Sequence, residues 1–185
     1  MASPKARSMI KVYGKLVKDP TDLTAAYPYG GTELGLVGQI LFRPQNQSQV
    51  LTAEEWGEQP WEVVDGGTAV WMACDLRGID GDAYGAAFLD TATATPSGEK
   101  TIRFRANNGR AGTLRSTQSM ILLFVPDAPL RHRAIILRDA IPVVVEDAEI
   151  SLSKDDEWSL RIAFHGRPDA SNRIAEIAFL GDLSL

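Results

Sequence analysis

The chain of 185 residues is 44% hydrophobic and 23% charged, values that suit one globular domain with a core of its own. Its net charge of −5 argues against a protein that grips nucleic acid through the phosphates. The single cysteine, Cys74, excludes an intrachain disulfide and argues against a thiolate zinc site. No apolar run approaches the ~20 residues of a membrane span, and the N-terminus lacks the apolar run of a signal peptide. We therefore expect a protein that is made and folded in a cytoplasm and has no membrane partner.

The first part of the chain predicts a loose arm, two strands and an irregular connection. Residues 1–8 are polar and predict the arm. Apolar and polar residues alternate over residues 10–17, which predicts a first strand. Turn-forming residues with Tyr27 and Tyr29 follow, and they predict an irregular connection. The sequence LVGQILFR, residues 36–43, predicts a second strand.

Pro44 ends this second strand, and the polar residues 44–67 predict a long extended loop. A long connection in a compact domain is usually functional or disordered, and Trp56 and Trp61 argue against disorder. Either the two tryptophans fold back over the edge of the core, or they anchor a contact with another chain, where tryptophan is enriched. Replacing both with alanine would separate these alternatives, because only the second leaves the stability of the monomer intact.

The segment 65–90 contains the clearest strand of the chain. It opens with the turn signal Gly66-Gly67, and alternate residues then form one apolar face. This face consists of Val70, Met72, Cys74 and Leu76. The alternation predicts a strand packed on the core, with Trp71 or Met72 in that core. A short flanking helix over residues 83–89, capped by a preceding aspartate, is predicted next.

The second half of the chain predicts more strands. Residues 101–106 and an Asn-Gly turn predict a hairpin, with residues 112–118 as its second strand. Residues 120–125, MILLFV, are apolar on both faces and predict a central strand covered on both sides. The remaining strand candidates are 134–137, 141–145, 148–153, 158–165 and 174–180. About nine strands and one short helix predict a mainly β fold, either a β-sandwich or a distorted barrel, over a single domain of residues 1–185.

The residues that carry chemistry in most enzymes are sparse. His132 lies in a predicted turn and His165 at a strand end, without metal-ligand spacing, and no serine or cysteine lies in a nucleophile-elbow sequence. Cys74 belongs to an apolar strand face, which predicts a buried, inert thiol. The sequence Asp80-Gly81-Asp82 lacks the other ligands of a calcium loop. We therefore expect no catalytic, cofactor or metal site, and a protein that is not an enzyme.

The order of several phrases along the chain indicates a family. The strand LGLVGQILFRP precedes VVDGGTAVWMACDLRGIDGDAYGAAF, a glycine-led apolar strand that runs into a short helix. A C-terminal hairpin then ends in the phrase F-x-(A/G)-x-P-D, here Phe164, Gly166, Pro168 and Asp169. Gly181-Asp182 follows the last predicted strand. In this order and spacing, residues 30–182 resemble the tail tube proteins of long-tailed bacteriophages.

The resemblance implies a structural virion protein without catalysis. It implies a β-sandwich with one flanking helix, of which six copies form a ring and the rings stack into a hollow tail tube. Inner sheets of neighbouring copies join edge to edge around the lumen, and a long loop or hairpin and the terminal arms reach the next ring. Residues 44–67 show no alternating hairpin pattern, so the sequence leaves open which part reaches out.

The resemblance also implies partners and a location. The partners are further copies of the chain and other tail proteins, namely the tape measure, tail terminator and distal tail proteins, and double-stranded DNA passes through without specific binding. The protein is expected in the virion tail, after assembly in the host cytoplasm. An acidic surface would repel the DNA phosphates. We predict that the subunit interface includes Trp56, Trp61, Tyr27 and Tyr29.

Two alternatives stay open. The chain could be another virion β-domain, such as a head–tail joining or capsid-decorating protein. It could also be a ligand-binding β-barrel module or a small enzyme, although the sequence shows no converging polar motif. A binding module should show a deep apolar pocket, whereas a tube subunit should show a flat polar sheet and protruding arms.

Overall fold

A computed structural model of the chain describes residues 13–52, 60–77, 93–94, 100–101, 114–144 and 159–185. These residues are mainly β, which confirms the predicted fold class. The described strands are, in chain order, β1 (Gly14–Lys18), β2 (Thr32–Thr52), β3 (Pro60–Arg77), β4 (Thr93–Ala94), β5 (Lys100–Thr101), β6 (Met120–Pro126), β7 (Ala134–Val144), β8 (Ser159–Arg167) and β9 (Ala175–Ala178). Seven of them form one antiparallel sheet, and β4 and β5 form a separate pair.

The seven-stranded sheet has the order β6-β1-β2-β3-β8-β7-β9, and β6 also pairs with β7. The first half of β7 pairs with β6 and with β9, and its second half pairs with β8. The predicted number of about nine strands is wrong for this sheet, which has seven. Part of the difference arises because the candidates 134–137 and 141–145 are one strand. The ladder between β7 and β6 ends at Ala140, so Pro142 removes no donor from it.

The main core lies on the inner faces of β1, β2, β3, β6, β7 and β8. The predicted apolar face of β3 is buried, and Met72 at its centre is fully buried, which confirms that Trp71 or Met72 belongs to the core. Leu160, Ile162 and Phe164 of β8 are buried beside it in register, as their alternation predicts. Burial of large aliphatic and aromatic side chains of this kind is the main driving force for folding.

A second apolar cluster covers the opposite face of β1, β6 and β7. Its strand residues include Val17, Leu123 and Ile136, and the connection after β1 and the C-terminal segment cover them with Tyr29 and Leu183. Strand β6 is therefore buried on both faces, as its apolar sequence predicts. The two irregular segments thus complete a layer that the sheet alone leaves open.

Strand β2 does not end at Pro44. It continues to Thr52 and pairs with β3 back to Pro60, so residues 44–52 and 60–67 are paired strands rather than the predicted loop. Proline is tolerated because β2 has no neighbour on its other side there, among the residues that the structure describes. The predicted turn Gly66-Gly67 lies inside β3, at a shift in the register with β2.

Of the other predictions, one is wrong and several lie outside the described residues. Residues 115–118, predicted as a strand, form a 3₁₀ turn instead, because the amide and hydroxyl of Thr117 both donate to the Leu114 carbonyl. The N-terminal arm 1–8, the helix 83–89 and the strand 148–153 lie outside the described residues. Within the described residues, no helix is long and apolar enough to cross a membrane.

Candidate subunit interface

The most prominent surface feature is a hairpin that extends beyond its neighbouring strands. We call residues 44–52 of β2 and 60–69 of β3 the arm. Strand β8 pairs with β3 only from Val70 to Arg77, and β1 pairs with β2 only as far as Val37. Beyond those points, the two strands pair only with each other within the described part of the chain. At the usual rise of a strand, the arm extends roughly 30 Å.

Among the side chains that the structure describes, the arm has no buried face. Every residue from 44 to 51 and from 62 to 68 is exposed, and four of these residues are large and apolar: Val50, Leu51, Val63 and Val64. Val50 lies opposite Val63 in the ladder, so these two side chains share one face, whereas Leu51 and Val64 lie on the other face. Apolar side chains on a long exposed strand are typical of a surface that pairs with another chain.

The arm also offers backbone hydrogen-bonding groups along both edges. A strand with no neighbour on one side presents a row of N–H and C=O groups to which a further strand can add. In the described residues, β2 presents such an edge from Gln39 to Thr52, and β3 presents one from Pro60 to Ala69. The arm therefore combines exposed apolar side chains with two free strand edges.

The arm segment carries the acidic excess of the whole chain. Residues 44–67 contain no lysine or arginine and five acidic residues: Glu54, Glu55, Glu58, Glu62 and Asp65. The net charge of the chain is −5, so the remainder is balanced. The net negative charge of the chain therefore arises from residues 44–67, and Glu62 and Asp65 are the members of this set that the structure describes.

Beside the arm, the outward face of β2, β3 and β8 carries polar rows on either side of a row in which Ala73 and Ala163 are buried. Gln39, Asp75 and Arg161 form one row across the three strands, and Arg161 Nε lies 3.9 Å from Asp75 Oδ1. In the next polar row, the guanidinium of Arg43 lies 5.5 Å from the ring centre of Trp71.

The four predicted interface residues fall in two places. The backbone of Trp61 lies in the arm, and Trp56 lies outside the described residues. Tyr29 is buried in the second apolar cluster, so its side chain is not available as the predicted interface residue. Its ring packs edge-on against Tyr27, with ring centres 5.7 Å apart.

Tyr27 is partly exposed, but its side chain contacts residues of its own subunit. The ammonium group of Lys15 lies 4.6 Å from its ring centre and 3.3 Å from the Glu33 carboxylate. Burial, and next the hydrogen bond with Glu33, raise the pKa of the Tyr27 phenol. The tyrosine pair therefore fixes the connection between β1 and β2, and the arm is the stronger interface candidate.

A second exposed apolar feature is an open groove of about 300 Å³ between three segments. Its lining residues are Leu23, Pro129, Leu130, Phe179, Leu180 and Gly181. Leu130, in the turn between β6 and β7, is 94% exposed. Neither this groove nor the apolar residues of the arm were predicted, although the short apolar runs Val50-Leu51 and Val63-Val64, which contain three β-branched valines, are a signal for strands.

The residues considered for catalysis or metal binding do not lie together in the structure. Cys74 is buried, and burial raises the pKa of its thiol, so the prediction of a buried thiol is confirmed. His165 is exposed on β8, and His132 lies in the turn between β6 and β7. In the described ranges, no group of three or more histidine, cysteine, aspartate or glutamate side chains could hold a metal ion.

Comparison of the chain with protein-family models and with curated proteins finds no match. The resemblance to tail tube proteins therefore depends on the phrases of the sequence.

Proposed function

We propose that this protein is a structural subunit that self-assembles into stacked, hexameric rings and forms a phage tail tube through which DNA passes, without catalysis. The observation that carries the proposal is the arm: a paired hairpin with exposed apolar side chains and two free strand edges. Such a feature is unfavourable for a monomer in solution, because its apolar side chains and strand edges stay exposed. It becomes favourable when another chain covers them.

The arm supplies the part that the sequence left open. The family resemblance asks for a hairpin that reaches the next ring, and residues 44–67 show no alternating pattern by which to recognise one. The additional pairing of β6 with β7 supports a distorted barrel as the body from which this hairpin projects. In our proposal, the body forms the ring and the arm links one ring to the next.

The charge distribution supports a conduit in which DNA does not stick. The proposed acidic lining of the lumen would come from the arm segment, because the rest of the chain is balanced. The outward face of β2, β3 and β8 carries Arg43, Arg77 and Arg161 against Asp75, so this face alone would not repel phosphate. Carboxylates near the lumen would keep DNA from binding non-specifically.

The first test is the assembly state of the purified protein. We expect rings and tubes by electron microscopy, and sedimentation that depends on protein concentration. A variant in which residues 46–68 are replaced by Asn-Gly, a two-residue hairpin turn, should stay monomeric. It should melt at the same temperature as the complete chain, because neither core cluster includes a described arm residue.

A matched pair of variants separates the arm from general loss of apolar surface. Val50→Ser/Val63→Ser should prevent assembly, whereas Leu36→Ser, at a residue of β2 that is 50% exposed outside the arm, should leave it intact. A complete chain that stays monomeric at every concentration and salt would refute the proposal. Single rings that never stack would instead favour another virion β-domain, such as a head–tail joining protein.

A further inference from the structure

We propose that the groove beside Leu130 is the receptor for the arm of a second copy, and that Val50 and Val63 of that arm enter it. This inference rests on the proposed self-assembly and names the surface that receives the arm. In the described structure, the arm valines are 53% and 60% exposed and Leu130 is 94% exposed. The arm of a chain therefore does not occupy that chain's own groove, and a second copy has to supply the contact.

The groove is formed in advance by hydrogen-bonded turns. The amides of Arg131 and His132 both donate to the Ala128 carbonyl, each at 2.9 Å, and so fix the turn that presents Leu130. On the opposite wall, the amide of Asp182 donates to the Phe179 carbonyl at 2.9 Å. A preformed apolar site loses little conformational entropy on binding, so an incoming pair of valines needs no rearrangement of the groove.

On one side of the groove, the exposed charges are positive and would attract the acidic arm. Arg131 and Arg133 lie one and three residues after Leu130, and both are exposed. On the arm, Asp65 alternates with Val63 and lies on the same face as Val50 and Val63. Opposite charges across an interface guide association and fix its orientation. Asp182, which follows the groove-lining Gly181, would repel Asp65, so the acidic edge of the arm should face the arginine-bearing turn.

The contact between arm and groove can also repeat from copy to copy. In the described residues, the arm and the groove lie at different places on each copy, so the contact is heterologous. Contacts of this kind close into a ring when the rotation between copies allows it, and otherwise they continue from copy to copy. This property fits a stack of rings, in which every ring must both receive and offer the same surfaces.

The test uses disulfide formation between two differently tagged chains, one carrying Val63→Cys and the other Leu130→Cys. The native thiol, Cys74, is buried, so only the introduced thiols should react. Under mild oxidation of assembled protein, we expect a mixed dimer of the two chains. Val64→Cys, one residue along and on the opposite face of the arm, is the matched control and should give at least fivefold less mixed dimer, on the order of the difference between facing and averted thiols.

A charge reversal tests the orientation. Arg131→Glu/Arg133→Glu should raise the critical concentration for assembly roughly tenfold, since two attractions become repulsions. The melting temperature of the monomer should not change in this variant, because both arginines are exposed.

The outcomes distinguish this inference from the proposed function. If the complete chain forms tubes but Val63→Cys gives no more mixed dimer than Val64→Cys, the groove is not the receptor and the tube proposal stands. If the arginine variant assembles at the concentration of the complete chain, the orientation is likewise wrong. If the complete chain forms neither rings nor tubes, the proposed function itself fails.

Discussion

Arg138 carries a buried charge with a single strong partner. Its side chain is 2% exposed, and Nη2 lies 2.7 Å from the Glu176 carboxylate and 3.3 Å from Ser184 Oγ. Nε and Nη1 are buried and have no hydrogen-bond partner among the described residues. The Arg138 amide also donates to the Ile174 carbonyl. This residue therefore ties β7 to β9 and to the C-terminal segment that completes the second apolar cluster.

The two members of this ion pair should respond differently to removal. We expect Glu176→Ala to lower the free energy of unfolding by about 3–5 kcal/mol, because it leaves the buried guanidinium without its carboxylate. Arg138→Met should cost less, because the Glu176 side chain that remains is partly exposed and lies 3.7 Å from Arg173. Urea unfolding followed by circular dichroism measures both values.

The exposed pair between Arg161 and Asp75 is the control for this prediction. Its atoms are 3.9 Å apart and both side chains are well exposed, so Asp75→Ala should change the free energy of unfolding by about 0–1 kcal/mol. Equal losses in Glu176→Ala and Asp75→Ala would show that burial of Arg138 contributes no special cost.

At the level of elements, the direction of the arm depends on a bulge. The register between β2 and β3 shifts at Gly66, and Gly67 has a φ of +93°. The Gly67 amide donates to the Asp65 carboxylate at 2.9 Å. A bulge of this kind bends a strand and increases its twist. The glycine pair therefore sets the direction in which the outer half of the arm leaves the sheet.

Gly67→Ala tests this role without a steric clash. A Cβ at this position would contact nothing within 4 Å, so the cost comes only from the left-handed backbone and should be about 1–2 kcal/mol. Because the arm packs on neither core cluster, this cost should appear as faster amide exchange in the arm and weaker assembly. The melting temperature of the body should stay the same.

Ser48→Ala, at another exposed arm position, provides the control, and it should leave both amide exchange and assembly unchanged. If Gly67→Ala assembles as well as the unaltered chain, the bulge does not set the direction of the arm.

At the level of the whole molecule, the acidic excess and the charge-balanced body belong to different parts of the chain. The balanced body presents arginines on the outward face of β2, β3 and β8, and the arm segment carries the acidic excess. We expect the complete chain not to bind duplex DNA at about 50 mM salt, where electrostatic binding is strong. The variant with residues 46–68 replaced by Asn-Gly should bind weakly and lose that binding at about 200 mM salt.

Mobility-shift assays measure this difference. A chain of full length, in which the five acidic residues of the arm segment are changed to their amides, separates charge from shape. It should bind DNA as the shortened chain does. Absence of binding in both variants would mean that the arm does not protect the arginine-bearing face from DNA.

Much of the body could be predicted from the sequence because it has faces to bury. Alternation located the buried side of β3 and of β8, and the run MILLFV located a strand covered on both faces. The arm could not be found in this way, because period-two alternation arises only when one face is buried. Neither face of the arm is buried in the monomer, so its sequence, PQNQSQVLT, has the composition of a loop.

Two local signals were also misleading for a physical reason. Proline is a strand terminator inside a sheet, but Pro44 lies where β2 has no neighbour on its other side among the described residues. A glycine pair is typical of a turn, but Gly66-Gly67 forms a bulge within a continuous strand. The groove at Leu130 joins three distant segments, and no local pattern brings such segments together.

The acidic arm has a further consequence for the order of events in assembly. Two free subunits that meet arm to arm bring together the same excess of carboxylates, and at low ionic strength this encounter is repelled. The end of a stack that offers free grooves presents balanced bodies, which an arriving arm can approach without that repulsion. Addition to that end should therefore outpace spontaneous pairing of free subunits. The number of starting points, rather than the supply of subunits, would then determine how many filaments appear.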